Sequence, residues 1–388
     1  MKGAETITDG PVTDIAVIGG GAAGLMASLR AASAGSSVVL LDSRKEIGIP
    51  VQCGEAISEN TLGLTGLERD GEWVAHPVEG FNIRSPSGDE LFASMRGFSI
   101  KRDRLEKELA SRASSAGAKI ISSAIVERAE QINGHWVLRT GKGPISARFV
   151  ILACGSNHYL PPWFGFKGGQ YCYMGLGIRL ARKDAGPRLT FLVRSELMGG
   201  YGWYFPRGDS VNIGVCSRSG IAERLSWIRG TFSVKDDEIV SYHGGAIPVS
   251  GPRKDLLGKA CMLVGDAGGF TNPVTKGGII GAVLSGGEAG TAAVEHLSGV
   301  QEALSAWEVR MRAHPAFSPL NIKRAEFLSS LEDGLLDEIT SLVCGKDIMA
   351  VPTTELMRLV LSRPDLLKRL KKGVHLVRGG KEWIKWSF

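Results

Sequence analysis

The chain alternates short apolar runs with glycine-rich turns and longer stretches of helical periodicity. Residues 13–18 (TDIAVI) form a compact apolar run rich in β-branched side chains, the pattern of a strand buried on both faces. Residues 22–34 are rich in Ala and Leu and free of proline, which predicts a helix. Residues 37–41 (SVVLL) predict a second buried strand. Gly48, Pro50 and Gly54 mark a loop, after which Ala56 is expected to open a short helix. Apolar alternation at residues 81–83 and 91–93 flanks the turn sequence RSPSG at 84–88, so a β-hairpin is expected. Residues 101–116 place Leu105 and Leu109 at i, i+4 on one face of an amphipathic helix. Strand character resumes at 119–122 and 124–128. A hairpin is expected at 134–148 and a separate buried strand at 149–153. Strands and turns dominate 156–255, with runs at 171–180, 189–194, 200–206 and 210–217 and a helical piece near 221–229. Residues 260–264 (ACMLV) read as a last buried strand, 277–297 as a long helix, and 301–377 as mostly helical.

The junction of the first strand and helix carries the first chemistry. Gly19, Gly21 and Gly24 stand at G-x-G-x-x-G spacing between them, with Ala22 and Ala23 inside the motif. Gly19 permits the tight turn, Gly21 lets a pyrophosphate approach the backbone, and Gly24 lets helix and strand pack closely. The helix N-terminus then faces the anion. Asp42 ends the second strand, 23 positions after Gly19, where a carboxylate can accept hydrogen bonds from an adenosine ribose. An ADP-containing dinucleotide follows, and the motif alone leaves NAD and FAD both open.

Composition narrows this picture. At 388 residues, with 43% hydrophobic and 22% charged positions, the chain is long enough for two domains or one with an inserted layer. No apolar run is long enough to predict a transmembrane span. The N-terminus lacks the apolar region of a signal peptide. Cys53, Cys154, Cys172, Cys216, Cys261 and Cys344 show no C-x-x-C spacing, so neither a metal site nor a disulfide framework is expected, and a reducing cytoplasm is the default. The net charge is +6, and residues 363–388, with eight Lys/Arg against two acids, carry all of that excess. The tail ends in Trp383-Ile384-Lys385-Trp386-Ser387-Phe388. Basic and aromatic residues together suit an interfacial segment on anionic lipid. A C-terminal helix packed on the body with a solvated basic face suits them equally. No recognition module for nucleic acid accompanies the charge.

Several separated features fit one architecture. Arg102 opens the amphipathic helix. Val126 lies on the strand pattern that follows it. Cys154-Gly155 closes a buried strand, and Gly265-Asp266 closes another, ahead of Pro273 and Gly277-Gly278. This arrangement resembles the glutathione-reductase-type FAD fold, in the subgroup of para-hydroxybenzoate hydroxylase. Two motifs narrow the resemblance. Pro50-Val51-Gln52-Cys53-Gly54-Glu55 is similar to the P-x-x-C-G-E loop of geranylgeranyl reductases, and Tyr201-Gly202-Trp203-Tyr204-Phe205-Pro206 to their Y-x-W-x-F-P motif. The stretches at 264–269 and at Gly277-Gly278-Ile279 match the corresponding glycine-rich region, so the resemblance spans residues 13 to about 300.

The resemblance implies an α/β protein. A Rossmann-like FAD-binding domain (residues 11–155 and 258–300) carries an inserted, mainly antiparallel β-sheet substrate domain (156–257). A helical C-terminal region (301–388) follows, and residues 1–10 are expected to be a flexible N-terminus. It implies that Arg102 meets the flavin pyrophosphate and that Val126 ends a strand where backbone groups hold adenine. Asp266 would bond the ribityl chain, and the helix after Gly277-Gly278-Ile279 would point its N-terminus at the flavin N1/O2 edge. A helix N-terminus favours the negative charge that reduced flavin carries there. Cys53 and Gly54 would face the isoalloxazine, with Cys53 and Glu55 as candidate catalytic residues. A thiol there can tune the flavin or assist proton delivery, or simply pack on the cofactor. Tyr201, Trp203 and Phe205 alternate and so share one strand face, as a substrate lining or as ordinary core; the motif adds Pro206 to the lining.

The activity implied is FAD-dependent saturation of isolated C=C bonds in geranylgeranyl chains of membrane lipids or their diphosphate precursors. The electron donor is not specified, and the enzyme is expected in the cytoplasm, with the basic tail at the inner face of the membrane. Two other readings stay open: a flavin monooxygenase of the hydroxylase group, and a membrane-surface electron-transfer flavoprotein reducing quinone. Cys154-Gly155 stands where the hydroxylase group usually has Asp-Gly, and no second G-x-G-x-x-G offers a nicotinamide domain.

Overall fold

A computed structural model describes residues 12–370 together with Gly373, Leu376 and Ile384. Strand β1 (Thr13–Ile18) runs into α1 (Ala22–Ser33) and β2 (Val38–Leu41). Next come β3 (Ala56–Ser58), α2 (Glu59–Thr65), β4 (Val74–Arg84), β5 (Glu90–Ile100) and α3 (Arg102–Ser115). The stretch β6 (Lys119–Ile121), β7 (Val126–Ile132), β8 (His135–Thr140) and β9 (Gly143–Leu152) completes the first half. The second half opens with β10 (Cys172–Leu180), β11 (Arg188–Leu192), β12 (Tyr201–Pro206), β13 (Val211–Ser217), α4 (Ile221–Thr231) and β14 (Ile239–Pro248). It continues with β15 (Leu257–Gly258), β16 (Cys261–Leu263), α5 (Gly265–Gly268) and α6 (Ile279–Leu297). Helices α7 (Ala303–Ala313), α8 (Pro319–Ser329), α9 (Asp333–Val343), α10 (Thr353–Leu361) and α11 (Pro364–Leu370) follow.

Two sheets organise these elements. The first has the order β15-β16-β9-β1-β2-β6, with the β7–β8 hairpin joined through β9. Its centre is parallel: β1 pairs with β2 and β9, and β9 with β16. Helices α1 and α6 pack against each other at very short range. A Cβ at Gly286 would stand 2.1 Å from the Ala23 carbonyl oxygen, and one at Gly290 2.3 Å from that of Ala27. Glycine at those positions thus sets the spacing between the two helices.

The second sheet has the order β14-β10-β13-β12-β11-β4-β5-β3 and is antiparallel except at β11–β4. One face packs on α4 through Ile178, Ile213, Val215 and Leu225. The other carries Phe81, Phe191, Trp203 and Phe205.

Several sequence expectations change. Strands β3, β4 and β5 belong to the second sheet, so residues 56–100 join the strands of 172–248 and not the sheet built on β1. Alternation identifies a hairpin but not its partner. Here the partner is β11, paired in register from Gly80–Arg188 to Arg84–Leu192. Ala56 begins a strand, and α2 starts three residues later behind Ser58, whose hydroxyl accepts from the Thr61 amide at 3.3 Å. The two pieces expected at 144–153 are one strand, β9. Residues 1–10 and most of the basic tail lie outside the described residues. Within the tail, α11 packs through Leu366 and Leu370. The buried Leu376 carbonyl accepts from Arg324 Nε at 3.0 Å.

Candidate active site

The glycine turn forms the first half of the site. A Cβ at Gly24 would lie 1.9 Å from the Gly19 carbonyl oxygen, so only glycine lets α1 start this close to β1. At Gly21 the situation reverses. Its nearest neighbour would be Glu106 Oε1 at 3.9 Å, so the missing side chain leaves open space in front of the helix. No side chain caps α1, and its first amides are available to an anion. Ala22 and Ala23 are buried and contribute backbone only.

Charged groups ring this cradle. Asp42 is buried and accepts from the Gly20 amide at 2.6 Å and from Arg44 Nη2 at 2.9 Å. Arg44 also reaches Glu106 at 3.2 Å, and Arg102 Nε meets the other oxygen of Glu106 at 2.9 Å. The buried Glu106 therefore fixes two guanidinium groups beside the turn. Arg44 was not expected from the sequence; its signal is a cation two positions after the acid that ends β2. Ala124 donates to the Asp42 carbonyl at 2.8 Å. This brings Val126 close to the acid, but Val126 starts strand β7 and does not end one.

At the far end, Asp266 accepts from Thr271 Oγ1 at 2.8 Å, and burial raises its carboxyl above the ordinary range. A Cβ at Gly278 would stand 3.1 Å from Asp266 Oδ1, so the glycine pair lets α6 start against the acid. Ile279 is its first residue, and Gly277 donates to Thr275 Oγ1 at 3.3 Å. An anion cradle with two cations, a ribose-class acid and a second acid beside an uncapped helix form a donor set that fits FAD.

The loop carrying Cys53 lies on the second sheet, and strand register shows how. Tyr201, Trp203 and Phe205 pair with Cys216, Gly214 and Asn212 of β13. These oppose Gly175, Gly177 and Arg179 of β10, which oppose Gly245, His243 and Ser241 of β14. All share one face. Gln52 lies over Gly245, 3.7 Å from where a Cβ would be, and Gly54 faces the Phe205 ring, which a Cβ at Gly54 would approach to 3.1 Å. Between them, Asn212 Nδ2 donates to the Cys53 carbonyl at 3.0 Å, while its Oδ1 accepts from Trp203 Nε1 at 2.9 Å. Asn212 thus links loop and aromatic face, a role with no signature in the sequence. The aromatics pack edge-on: Phe191 lies 5.0 Å from Tyr201 and 5.2 Å from Phe205 between ring centroids. Pro206 departs from expectation. It falls on the opposite face by strand alternation, its ring 3.8 Å from a Cβ at Gly186, so it does not line the aromatic surface.

Cys53 is half-buried, and desolvation pushes its thiol up, opposed by the Arg102 guanidinium. It is therefore a protonated thiol with a cation beside it. Glu55 sits in the left-handed region at φ 65° and is 1% exposed. One of its oxygens accepts from the Arg102 amide at 3.0 Å; the other meets Arg207 at 2.7 Å and also Arg179. Both oxygens are engaged, so Glu55 acts as the anchor of the loop. His243 completes the face. Burial lowers its imidazole to about 4, and Nε2 has no partner among the described residues.

This fold and site define an α/β flavoprotein oxidoreductase. Residues 14–188 match the lycopene cyclase protein family. The p-nitrophenol 4-monooxygenase of Pseudomonas putida shares the fold at 16% identity and TM-score 0.71, over 92% of this chain and 98% of its own. A geranylgeranyl bacteriochlorophyll reductase-like protein of Thermoplasma acidophilum superposes at TM-score 0.82 and 25% identity, over 93% of this chain and 98% of its own. Digeranylgeranylglycerophospholipid reductase 2 of Methanosphaera stadtmanae is 30% identical over 391 residues, 93% of this chain and 99% of that protein. The chain belongs to the digeranylgeranylglycerophospholipid reductase family.

Proposed function

We propose that the protein is an FAD-dependent reductase that saturates isolated C=C bonds in the geranylgeranyl chains of glycerophospholipids. The observation that carries this reading is the Cys53 loop laid across an aromatic sheet face and tied to it through Asn212. An isolated alkene offers no carbonyl to polarise, so the site must supply an apolar surface, exclude water and place a proton. Tyr201, Trp203 and Phe205 supply the surface. Bound FAD, when reduced, supplies the hydride. Cys53 holds a proton in its thiol, and Arg102 stands ready to face the thiolate that remains after proton transfer. Arg44 and Arg102 would meet the pyrophosphate and Asp42 the ribose. Asp266 would meet the ribityl chain.

The test is anaerobic. The purified protein is reduced with dithionite and given a digeranylgeranyl glycerophospholipid, and product mass is followed with flavin reoxidation. A gain of one hydrogen molecule per bond, matched by reoxidation, is expected. A flavin that stays reduced with every prenyl lipid, yet hydroxylates a ring compound with oxygen, replaces this reading with a monooxygenase. Reoxidation by quinone alone replaces it with an electron carrier.

A further inference from the structure

The aromatic face of the second sheet has two unlike ends. At one, Glu55 and Arg207 are buried and occupy each other. In the other direction the register runs through Gly175 and Cys216 to Tyr173 of β10 and to Arg218, the first residue after β13. Ile247 of β14 pairs with Tyr173 on the same face. This second end is open. Arg218 is exposed, and Tyr171, just before β10, is 52% exposed.

Arg218 is held in place there. Its Nε donates to Tyr173 Oη at 3.0 Å, and Tyr173 Oη donates in turn to the Met198 carbonyl at 2.7 Å. Its guanidinium lies 5.5 Å from the Tyr171 ring centroid and 5.6 Å from that of Tyr173. The hydrogen bonding uses one nitrogen only. Among the described residues, the two terminal nitrogens donate to nothing and no carboxylate forms an ion pair with them; Glu326 of α8 acts on Arg218 only at longer range. A second cation shares the ring. Lys276 Nζ lies 4.8 Å from the Tyr173 centroid, and its own bonds go to the carbonyls of Pro273, Gly199 and Val274. Two positive charges therefore stand at the open end without a paired anion. The outer fork of Arg218 has the geometry that takes two oxygens of a phosphate.

The spacing suits a molecule with a polar end and a long apolar body. Six strand residues separate Arg218 from Asn212, which holds the Cys53 carbonyl. That is about 20 Å at the rise of a strand. Gly175 and Gly245 place no side chain on the row between. An anion at Arg218 thus leaves the glycine and aromatic surface to an apolar chain that reaches the Cys53 loop.

We propose that Arg218 binds a phosphate group at the polar end of the prenyl substrate and so sets the preference for phosphorylated over neutral prenyl lipids. This rests on the reductase reading above. Arg218 is a specificity residue and takes no part in the chemistry, which lies at the other end of the chain.

The test compares wild type with Arg218→Gln and Arg218→Lys on three substrates under anaerobic, reducing conditions. These are a digeranylgeranyl glycerophospholipid, geranylgeranyl diphosphate, and neutral digeranylgeranylglycerol. Thermal unfolding is measured in parallel. Arg218→Gln is expected to raise KM for a phosphorylated substrate, relative to the neutral lipid, by about 30-fold, the loss of a hydrogen bond between charged groups. Arg218→Lys keeps the charge without the fork and should fall between. A loss with the phospholipid places a lipid headgroup at Arg218, and a loss confined to the diphosphate places a free precursor there; either supports the phosphate site. An equal rise for all three substrates overturns it, because it assigns Arg218 to the general lining, and so does an unchanged KM for all three. Wild type that turns over none of the three takes down the reductase reading, a separate result. Equilibrium titration of the phospholipid and the neutral lipid into oxidised protein then decides the phosphate site: Arg218→Gln should weaken the phospholipid selectively, and equal binding to wild type and variant overturns the proposal.

Discussion

Cys53 and Glu55 sit two residues apart, yet burial and partners give them opposite work. The Cys53 thiol is neutral, has Arg102 beside it, and belongs to the loop that crosses the aromatic face. Glu55 spends both oxygens on Arg102, Arg179 and Arg207. Cys53→Ala should therefore lower kcat by about 100-fold, the lower range for a lost proton donor, with little change in KM for the lipid. Cys53→Ser should recover part of it. Glu55→Gln should instead cost about 3 kcal/mol of stability, because it leaves the buried Arg207 and the half-buried Arg179 without their anion. Single-turnover kinetics with thermal unfolding on the three variants separates these outcomes. Equal loss of kcat with unchanged stability in Glu55→Gln would make Glu55 a second proton-handling group. The sequence motif names both residues but cannot tell them apart. Their difference comes from arginines 124 and 152 positions downstream, which only the folded sheet brings to the loop.

At the scale of elements, the aromatic face depends on what the strands leave out. Gly175 and Gly177 of β10, Gly214 of β13 and Gly245 of β14 fall on the face that carries Trp203 and His243. A Cβ at Gly177 would stand 2.5 Å from His243 Nε2 and 2.8 Å from Trp203 Cζ2, so its absence lets both rings lie on the sheet. These are side-chain neighbours that can move. Gly177→Ala should push Trp203 and His243 toward the Cys53 loop, at a cost of about 1–3 kcal/mol for overpacking. The expected result is a KM for the lipid raised about tenfold with the flavin spectrum unchanged. Gly175→Ala comes closest to Ile247 Cδ1, at 3.1 Å, and serves as the milder control. Equal KM values in Gly177→Ala and wild type would show that this part of the face is core and not lining. Sequence reading placed Tyr201, Trp203 and Phe205 on one face correctly, since alternation within a strand is local. It placed Pro206 with them and missed Asn212, Arg179 and His243. Those depend on which strands are neighbours, and pairing register is not written in any single strand.

For the whole molecule, the nucleotide half was the more legible. A parallel sheet with a glycine turn is built from contiguous strand–turn–helix units, so Gly19, Gly21, Gly24 and Asp42 could be placed from their order alone. The second sheet gathers β3–β5 from one part of the chain and β10–β14 from another, an assembly that no contiguous stretch of sequence signals.

The C-terminal region joins these halves to a question of location. Among the described residues no helix is long and apolar enough to cross a membrane, and a lipid with two long chains does not leave a bilayer freely. Helix α10 buries none of its residues, and Leu361 at its end is 56% exposed. Helix α11 beyond it packs on the body through Leu366 and Leu370, while Ile348, Met349 and Ile384 pack against the aromatic cluster of the second sheet. The basic residues Arg378, Lys381 and Lys385 flank Ile384 in the sequence and lie outside the described residues. We propose that this region rests on an anionic membrane. Each Lys or Arg near such a surface contributes about 1 kcal/mol, so changing those three to Gln should weaken binding to phosphatidylglycerol-containing vesicles by roughly 100-fold. Raising salt should weaken the wild type in the same direction. Co-sedimentation checks this, with neutral phosphatidylcholine vesicles as the reference. Wild-type binding that is equal on neutral and anionic vesicles, or unchanged in the triple variant, would leave the tail as a packed segment with a solvated face. The enzyme would then have to meet its lipid through exposed apolar surface alone.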